Sequence, residues 1–548
     1  MIRNVIAPAV EPRRESQSAV RLSPWVHVMV ALGVGARALP LLDQGGRMLR
    51  QFPTEDGYLM LTIARNIARG AGMSTADGAL PTNGVQPLAT LLWSLCFALV
   101  GGDKPRGVAL VLALQFVLAS ATAYGIFKLG KHLFAGQPQA HARAATAAAA
   151  WYASPLVLPH TMNCLETGLY GLTLVTCFSM LLTLPARKSA DKERWAAIGL
   201  ALGIAFWARN DVVLLCAACA IVHLRGGLGD RSLPVLQRFL ELAVAGAVMG
   251  VIALPWLAFN FVGFGHVMPI SGQAEALGSQ LGENLPGLLP SLLEYAVLVL
   301  PIPHSLEGAP WVGALSVLVL GTIGLVLHSH GPTAPRSRDA LRLGLTLALL
   351  LCLFYGLFFG AGHFLSRYLF ALSPLCALLW GHAVQRGSAL LAARWRPRSG
   401  AAREVGSGPA VFPVGLVLVL MLVVHVRAYR LGDRHQHFQV VEWVEQNVPG
   451  SAWVGAIQTG TLGFFHDRTI NLDGKVNPYA LEARRRDAIP AYVASSAIEY
   501  LVDWIDLLAW NDQPDIARRF EVKVAHKGQN LAAMQRKGLT LSLHVPSE

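Results

Sequence analysis

Long apolar runs separated by short polar connectors dominate the chain. VLALQFVLASATAYGIF (111–127), ETGLYGLTLVTCFSMLLTL (166–184), LELAVAGAVMGVIALPWLAF (240–259) and LRLGLTLALLLCLFYGLFFG (341–360) are clear examples. Each approaches the ~20 residues that a helix needs to cross a bilayer. Such runs predict helices, because a backbone in hydrocarbon must satisfy its own hydrogen bonds. The pattern predicts an α-helical polytopic membrane protein of about 11–13 spans over 23–428, with an outer loop at 43–86. One run, 87–101, is short for a crossing, and whether it crosses or only re-enters is left open.

After 428 the pattern changes. VVEWVEQNVPG (440–450) has helical spacing with a Pro-Gly stop, whereas SAWVGAI (451–457) and RTINLDG (468–474) read as short strands around a turn-like QTGTLGFF. AIEYLVDWIDLLAW (497–510) and RRFEVKVAHKG (518–528) add another strand or two. The expectation is a small C-terminal α/β domain over 429–548, on the periplasmic side.

Charge distribution gives the orientation. The chain of 548 residues is 53% hydrophobic and 14% charged, with a net charge of +12. Arg and Lys collect in connectors near 128–143, 186–194, 225–238, 329–340 and 385–409, which the positive-inside rule places in the cytoplasm. That placement accounts for the basic charge without nucleic acid as a partner. Residues 1–22, with Arg3, Arg13, Arg14 and Arg21, are too polar for a cleavable signal peptide and are expected to be a cytoplasmic leader. Cys216 and Cys219 form a CxxC inside an apolar helix with no second ligand pair, which reads as core.

The remaining polar residues gather at the outer face. Glu55 and Asp56 begin the outer loop, and Asn83 and Gln86 end it. Glu166 opens a span, Arg209-Asn210-Asp211 sits at an outer turn, His266 follows another span, and His363 and Arg367 lie in GHFLSRYLFALSP. Ionisable groups at membrane depth are costly and commonly mark a site. Each also has a structural reading: Arg367 snorkelling to headgroups, Arg209 and Asp211 as an ion pair, Glu166 complementing a helix dipole, His266 and His363 as interfacial histidines. Carboxylates and cations together suggest an anionic membrane-embedded substrate and acid–base chemistry.

TEDGY, ARNIARGAGMS and PTNGVQPLATLLW, then LETGLYGLTL, WARNDVVLL, SRYLFALSPLCALL and GTLGFFHDRTINLDGKVNP follow one another along residues 54–478. In that order they resemble the GT-C superfamily of membrane glycosyltransferases, arabinofuranosyl- and mannosyltransferase-like members included. Glu55 stands where the family often has Asp, and Asn210 and Val212 replace a Pro and a Gly.

The resemblance implies an inverting glycosyltransferase of the inner (plasma) membrane. It would move a sugar from a polyprenyl-phosphate donor to a cell-envelope glycan, lipid or protein. Asp56, with Glu55 as alternate, would be the general base. Arg367 and Arg209 would hold the donor phosphate, and Asn83, Gln86, Glu166 and His363 would contact substrate. No cofactor is established. Some related enzymes use a divalent cation near the loop acids, but Glu55, Asp56 and Glu166 alone make no evident tight site. The competing readings are a transporter or flippase for a lipid-linked substrate, and a non-catalytic lipid-binding protein.

Overall fold

The computed structural model describes residues 23–538 except 44–45, 138, 186–188, 227, 229–232, 299–300, 303–308, 331–334, 395–410 and 432–436. The expected leader 1–22 and most of the basic connector 385–409 lie outside the described residues. Among those described, five helices are long and apolar enough to cross a membrane: Pro24–Leu42, Lys104–Leu133, Val235–Phe264, Pro335–Phe358 and Gly362–Gln385. Shorter apolar helices, such as Thr167–Leu182 and Val212–Leu224, pack among them. The protein is a multi-pass membrane protein.

The Lys104–Leu133 helix shows how these elements pack. Val108, Val111, Leu112, Gln115, Ala119, Thr122, Ile126 and Leu129 recur at helical spacing and are buried. Leu110, Val117 and Tyr124, seven residues apart, are exposed on the other side. Both faces are apolar, as expected of a helix with protein on one side and lipid on the other.

The short run resolves into the helix Pro87–Leu99, about 20 Å long at 1.5 Å per residue and too short to cross. Its leading end adjoins Gly84, which lies against the Lys475 carbonyl of the C-terminal domain. Past its trailing end, Gly102 O accepts from Arg65 Nε at 2.8 Å, and Lys104 Nζ reaches Asp467 of the same domain at 3.0 Å. The segment therefore leaves and returns on the domain-bearing face. Lys104–Leu133 then carries Lys128 and Lys131 to its far end, away from the domain-bearing face, in keeping with the basic connector near 128–143 lying on the other side.

Two short strands, β1 (Ser74–Thr75) and β2 (Leu80–Pro81), pair antiparallel in the outer loop. The C-terminal α/β domain is built on β3 (Val454–Ala456), β4 (Thr469–Asn471), β5 (Tyr500–Asp503), β6 (Phe520–His526) and β7 (Leu531–Arg536). They run in the order β4-β3-β5-β7-β6. β3 pairs parallel with β4 and β5, and β7 pairs antiparallel with β5 and β6.

Side chains alternate between two cores across this sheet. Tyr500, Val502 and Ala533 face Val440 and Val444 of the Phe438–Asn447 helix, while Leu501, Ala532 and Met534 face Ile498, Ile516 and Phe520. β7 was not anticipated from the sequence. The expected QTGTLGFF turn is instead a short helix, Gly460–Phe465, for a reason that lies in the site.

Candidate active site

Thr54 caps the helix Glu55–Ala68, its Oγ1 accepting from Gly57 N at 3.2 Å. The two acids that open this helix are about 100° apart around its axis, so they face different neighbours. Glu55 turns to the C-terminal domain. Its carboxylate accepts hydrogen bonds from Gly460 N, from Thr461 N at 2.9 Å and from Thr461 Oγ1. It thereby caps the first turn of Gly460–Phe465, which explains a helix where local sequence suggested a turn. His437 Nδ1 lies 3.9 Å from Glu55 Oε2, but burial pushes this imidazole down to about 4, so it is a neutral neighbour at pH 7.

Asp56 faces a cavity of about 340 Å³ between the membrane helices and the C-terminal domain. Arg367 Nη1 donates to Asp56 Oδ2 at 2.8 Å, and the guanidinium stacks 4.4 Å from the Phe364 ring centroid. Arg367 Nε is buried and unpartnered among the described residues. Burial alone would raise the Asp56 pKa. The charges of Arg367 and Lys475 outweigh it and hold the carboxyl below its ordinary value.

A second charged group forms the opposite wall. Arg209 closes the Lys192–Ala208 helix. Its Nη2 and Nε donate to Asp211 Oδ2 at 2.8 and 3.1 Å, and its Nη1 donates to Glu166 Oε1 at 3.0 Å. Tyr355 OH donates to the same Asp211 oxygen at 2.9 Å. Tyr355 lies in a π-helical turn, Phe354–Phe358, and its ring stacks on Tyr368 with centroids 4.1 Å apart. A third ion pair joins Lys475 Nζ to Glu275 Oε2 at 3.5 Å.

Of the residues expected from sequence, Asp56, Arg367, Arg209, Glu166 and Gln86 share this cavity. Glu55, Asn83 and His363 do not line it. Glu55 ties the two domains together. Asn83 is buried and joins two elements, donating to Asn260 Oδ1 at 3.0 Å and accepting from Ile270 N at 3.1 Å. His363 is exposed, its ring packed on Phe364. Gln86 Oε1 and Asn210 Oδ1 are buried without partners among the described residues, and both side chains line the cavity.

Sequence reasoning missed Tyr355, Glu275 and Lys475. Lys475 falls in the LDGKVNP stretch that carried part of the resemblance, but a lysine in a soluble segment is unremarkable by itself.

A resident divalent cation does not fit this donor set. Asp56 and Glu166 are engaged by different arginines, and Glu55 turns away. Among the described residues no group of three or more His, Cys, Asp or Glu side chains converges on a point.

A family model described as Domain of unknown function (DUF8728) matches residues 426–537. No curated protein matches the chain in sequence. Among solved structures, ArnT from Cupriavidus metallidurans bound to undecaprenyl phosphate is similar, with a TM-score of 0.57 and 14% identity, over 93% of this chain and 97% of that one. The archaeal oligosaccharyltransferase AglB from Archaeoglobus fulgidus, in complex with an inhibitory peptide and a dolichol-phosphate, is similar with a TM-score of 0.54 and 13% identity. That likeness covers 88% of this chain and 69% of AglB. The spans, the loop at 43–86 and the attached α/β domain thus form a GT-C-like membrane fold of the kind seen in these two structures.

Proposed function

We propose that the protein is an inverting glycosyltransferase that moves a sugar from a polyprenyl-phosphate donor to an acceptor hydroxyl. The observation that carries this reading is the facing pair of Asp56 and Arg367, 2.8 Å apart in a cavity bounded by both membrane helices and the C-terminal domain. The ArnT and AglB structures were each solved with a polyprenyl-type lipid phosphate, which supports a donor of that class.

The acceptor oxygen attacks the anomeric carbon from the face opposite the phosphate. The new C–O bond forms as the bond to the phosphate oxygen breaks, and its electron pair leaves with the phosphate. Asp56 takes the acceptor proton, a general-base role typically worth 10²–10⁴-fold. Arg367 meets the charge that grows on the leaving phosphate. When phosphate engages Arg367, Asp56 loses its partner and is released for proton transfer.

In this reading Glu55 is a structural anchor, and Arg209, with Glu166 and Asp211, forms the scaffold of one wall. Gln86 and Asn210 offer acceptors to sugar hydroxyls. The basic connectors support an orientation with the C-terminal domain outside the plasma (inner) membrane, where an envelope glycan, lipid or protein would be the acceptor.

The test is sugar release from radiolabelled polyprenyl-phosphate sugars by purified wild type and Asp56→Asn. Turnover by wild type that drops at least 100-fold in Asp56→Asn, with undecaprenyl phosphate binding retained, supports the reading. Binding without turnover by wild type, and equal binding by the variant, would leave a lipid-binding protein instead.

A further inference from the structure

Among the described residues three cations line the cavity, and they are unequally committed. Arg209 makes hydrogen bonds to the carboxylates of Asp211 and Glu166, whose side chains are only 6% and 7% exposed. Drawing it onto a phosphate would strand both, which is costly in a buried site. Arg367 holds Asp56 at 2.8 Å. Lys475 is committed least: its Nζ lies 3.5 Å from Glu275 Oε2 and 5.6 Å from the Phe364 ring centroid, in the same cavity. An ammonium in a loose pair can turn to an incoming anion without stranding a close partner.

The backbone that presents Lys475 is firmly held. Asn471 Oδ1 accepts from Gly474 N at 3.0 Å, and Asp473 Oδ1 accepts from Lys475 N at 2.8 Å. Arg484 Nη1 donates to Asp473 O at 2.6 Å, and Asn477 Nδ2 donates to Asn471 O at 2.7 Å. The loop presses on the outer loop so closely that a Cβ at Gly84 would come within 2.0 Å of Lys475 O. A flexible four-carbon side chain therefore swings from a fixed base. Burial opposes its charge, but Asp56, Asp473 and Glu275 together raise its pKa, so it is an ammonium at neutral pH.

Resting on the donor reading above, we infer that Lys475 is the second ligand of the donor phosphate beside Arg367, in the place sequence reasoning gave to Arg209. The C-terminal α/β domain, whose residues 426–537 match a domain of unknown function, then supplies part of the donor subsite.

The experiment measures binding of undecaprenyl phosphate, undecaprenol and inorganic phosphate to the full chain in detergent, for wild type, Lys475→Gln, Lys475→Arg and Glu275→Gln. Thermal unfolding of each variant is followed in parallel. The expected result is at least tenfold weaker undecaprenyl phosphate binding by Lys475→Gln, with undecaprenol binding unchanged. Lys475→Arg restores most of the affinity, and Glu275→Gln binds as well as wild type or better.

Inorganic phosphate binding that falls in parallel makes the site one for phosphate as such, and undecaprenyl phosphate alone responding makes it one for the lipid headgroup. Either pattern supports the inference. Lys475→Gln that binds undecaprenyl phosphate like wild type, or that loses undecaprenol equally, overturns it while wild-type turnover keeps the donor reading intact. Wild type that neither binds undecaprenyl phosphate nor turns over any donor overturns both.

Discussion

Asp56 is a half-buried carboxylate whose charge is kept by its neighbours rather than by water. Its pKa is lowered, so the basic form persists from neutral pH down through the ordinary carboxylate range and is lost only below it. The acid limb of donor turnover should lie below the ordinary Asp value. Arg367→Gln should lower activity and also move that limb upward, because it removes the cation that overcomes burial; a pH profile of kcat/KM on the residual activity reads this. An unmoved limb would mean another group is the base. Asp56, Arg367, Arg209, Glu166 and Gln86 were legible as candidates because polar groups near lipid are expensive. Glu55, Asn83 and His363 carry the same local signature, and only the directions of their side chains set them apart. No periodicity records that the two adjacent acids diverge around one helix. Lys475 was hidden for the opposite reason, since it lies outside the apolar runs, where a lysine draws no notice in the sequence.

Some elements depend on the partners that the fold brings to them. The six-residue helix Gly460–Phe465 is too short to stand alone, and it forms where Glu55 supplies its cap. A Cβ at Gly460 would fall 1.8 Å from Glu55 O, a backbone atom that cannot swing away. Gly460→Ala should therefore destabilise the full chain by at least ~1–3 kcal/mol, read as a lowered unfolding midpoint, and should reduce turnover by shifting the acid-bearing helix. An unchanged midpoint would mean the two backbones do not meet so closely. The π-helical turn at Phe354–Phe358 aims Tyr355 at Asp211, and Asn284 Nδ2 donates to its Tyr355 carbonyl at 2.9 Å. Nothing in LCLFYGLFFG announces that turn. The spans, the 438–447 helix and most strands were readable because they rest on local period. β7 and the re-entrant path of Pro87–Leu99 were not, because each is defined by what it meets.

At the scale of the whole molecule, one aspartate fastens the two domains near the acid pair. Asp467 meets Arg65 and Lys104, each at 3.0 Å, with Arg69 farther off at 3.8 Å. Burial raises its pKa, but Lys104 and Arg65 bring it below the ordinary value. Its contribution is therefore complete above the usual Asp range and is lost as pH falls through the lowered pKa. Asp467→Asn should cost about 1 kcal/mol, a modest sum because the carboxylate is partly exposed, and should make turnover depend less on salt than in wild type. Titrating activity against NaCl in both proteins checks this; identical salt curves would remove Asp467 from the junction. The bond from Gly460 to Glu55 spans 405 positions. A ribosome that has made the acid pair must therefore add 405 residues before the cap exists. A nascent chain that stops between residues 367 and 460 carries Asp56 and Arg367 but has no ammonium opposite them and an acid-bearing helix without its anchor. Products truncated there are thus left without a finished centre, and the order of synthesis itself delays chemistry until the α/β domain has emerged.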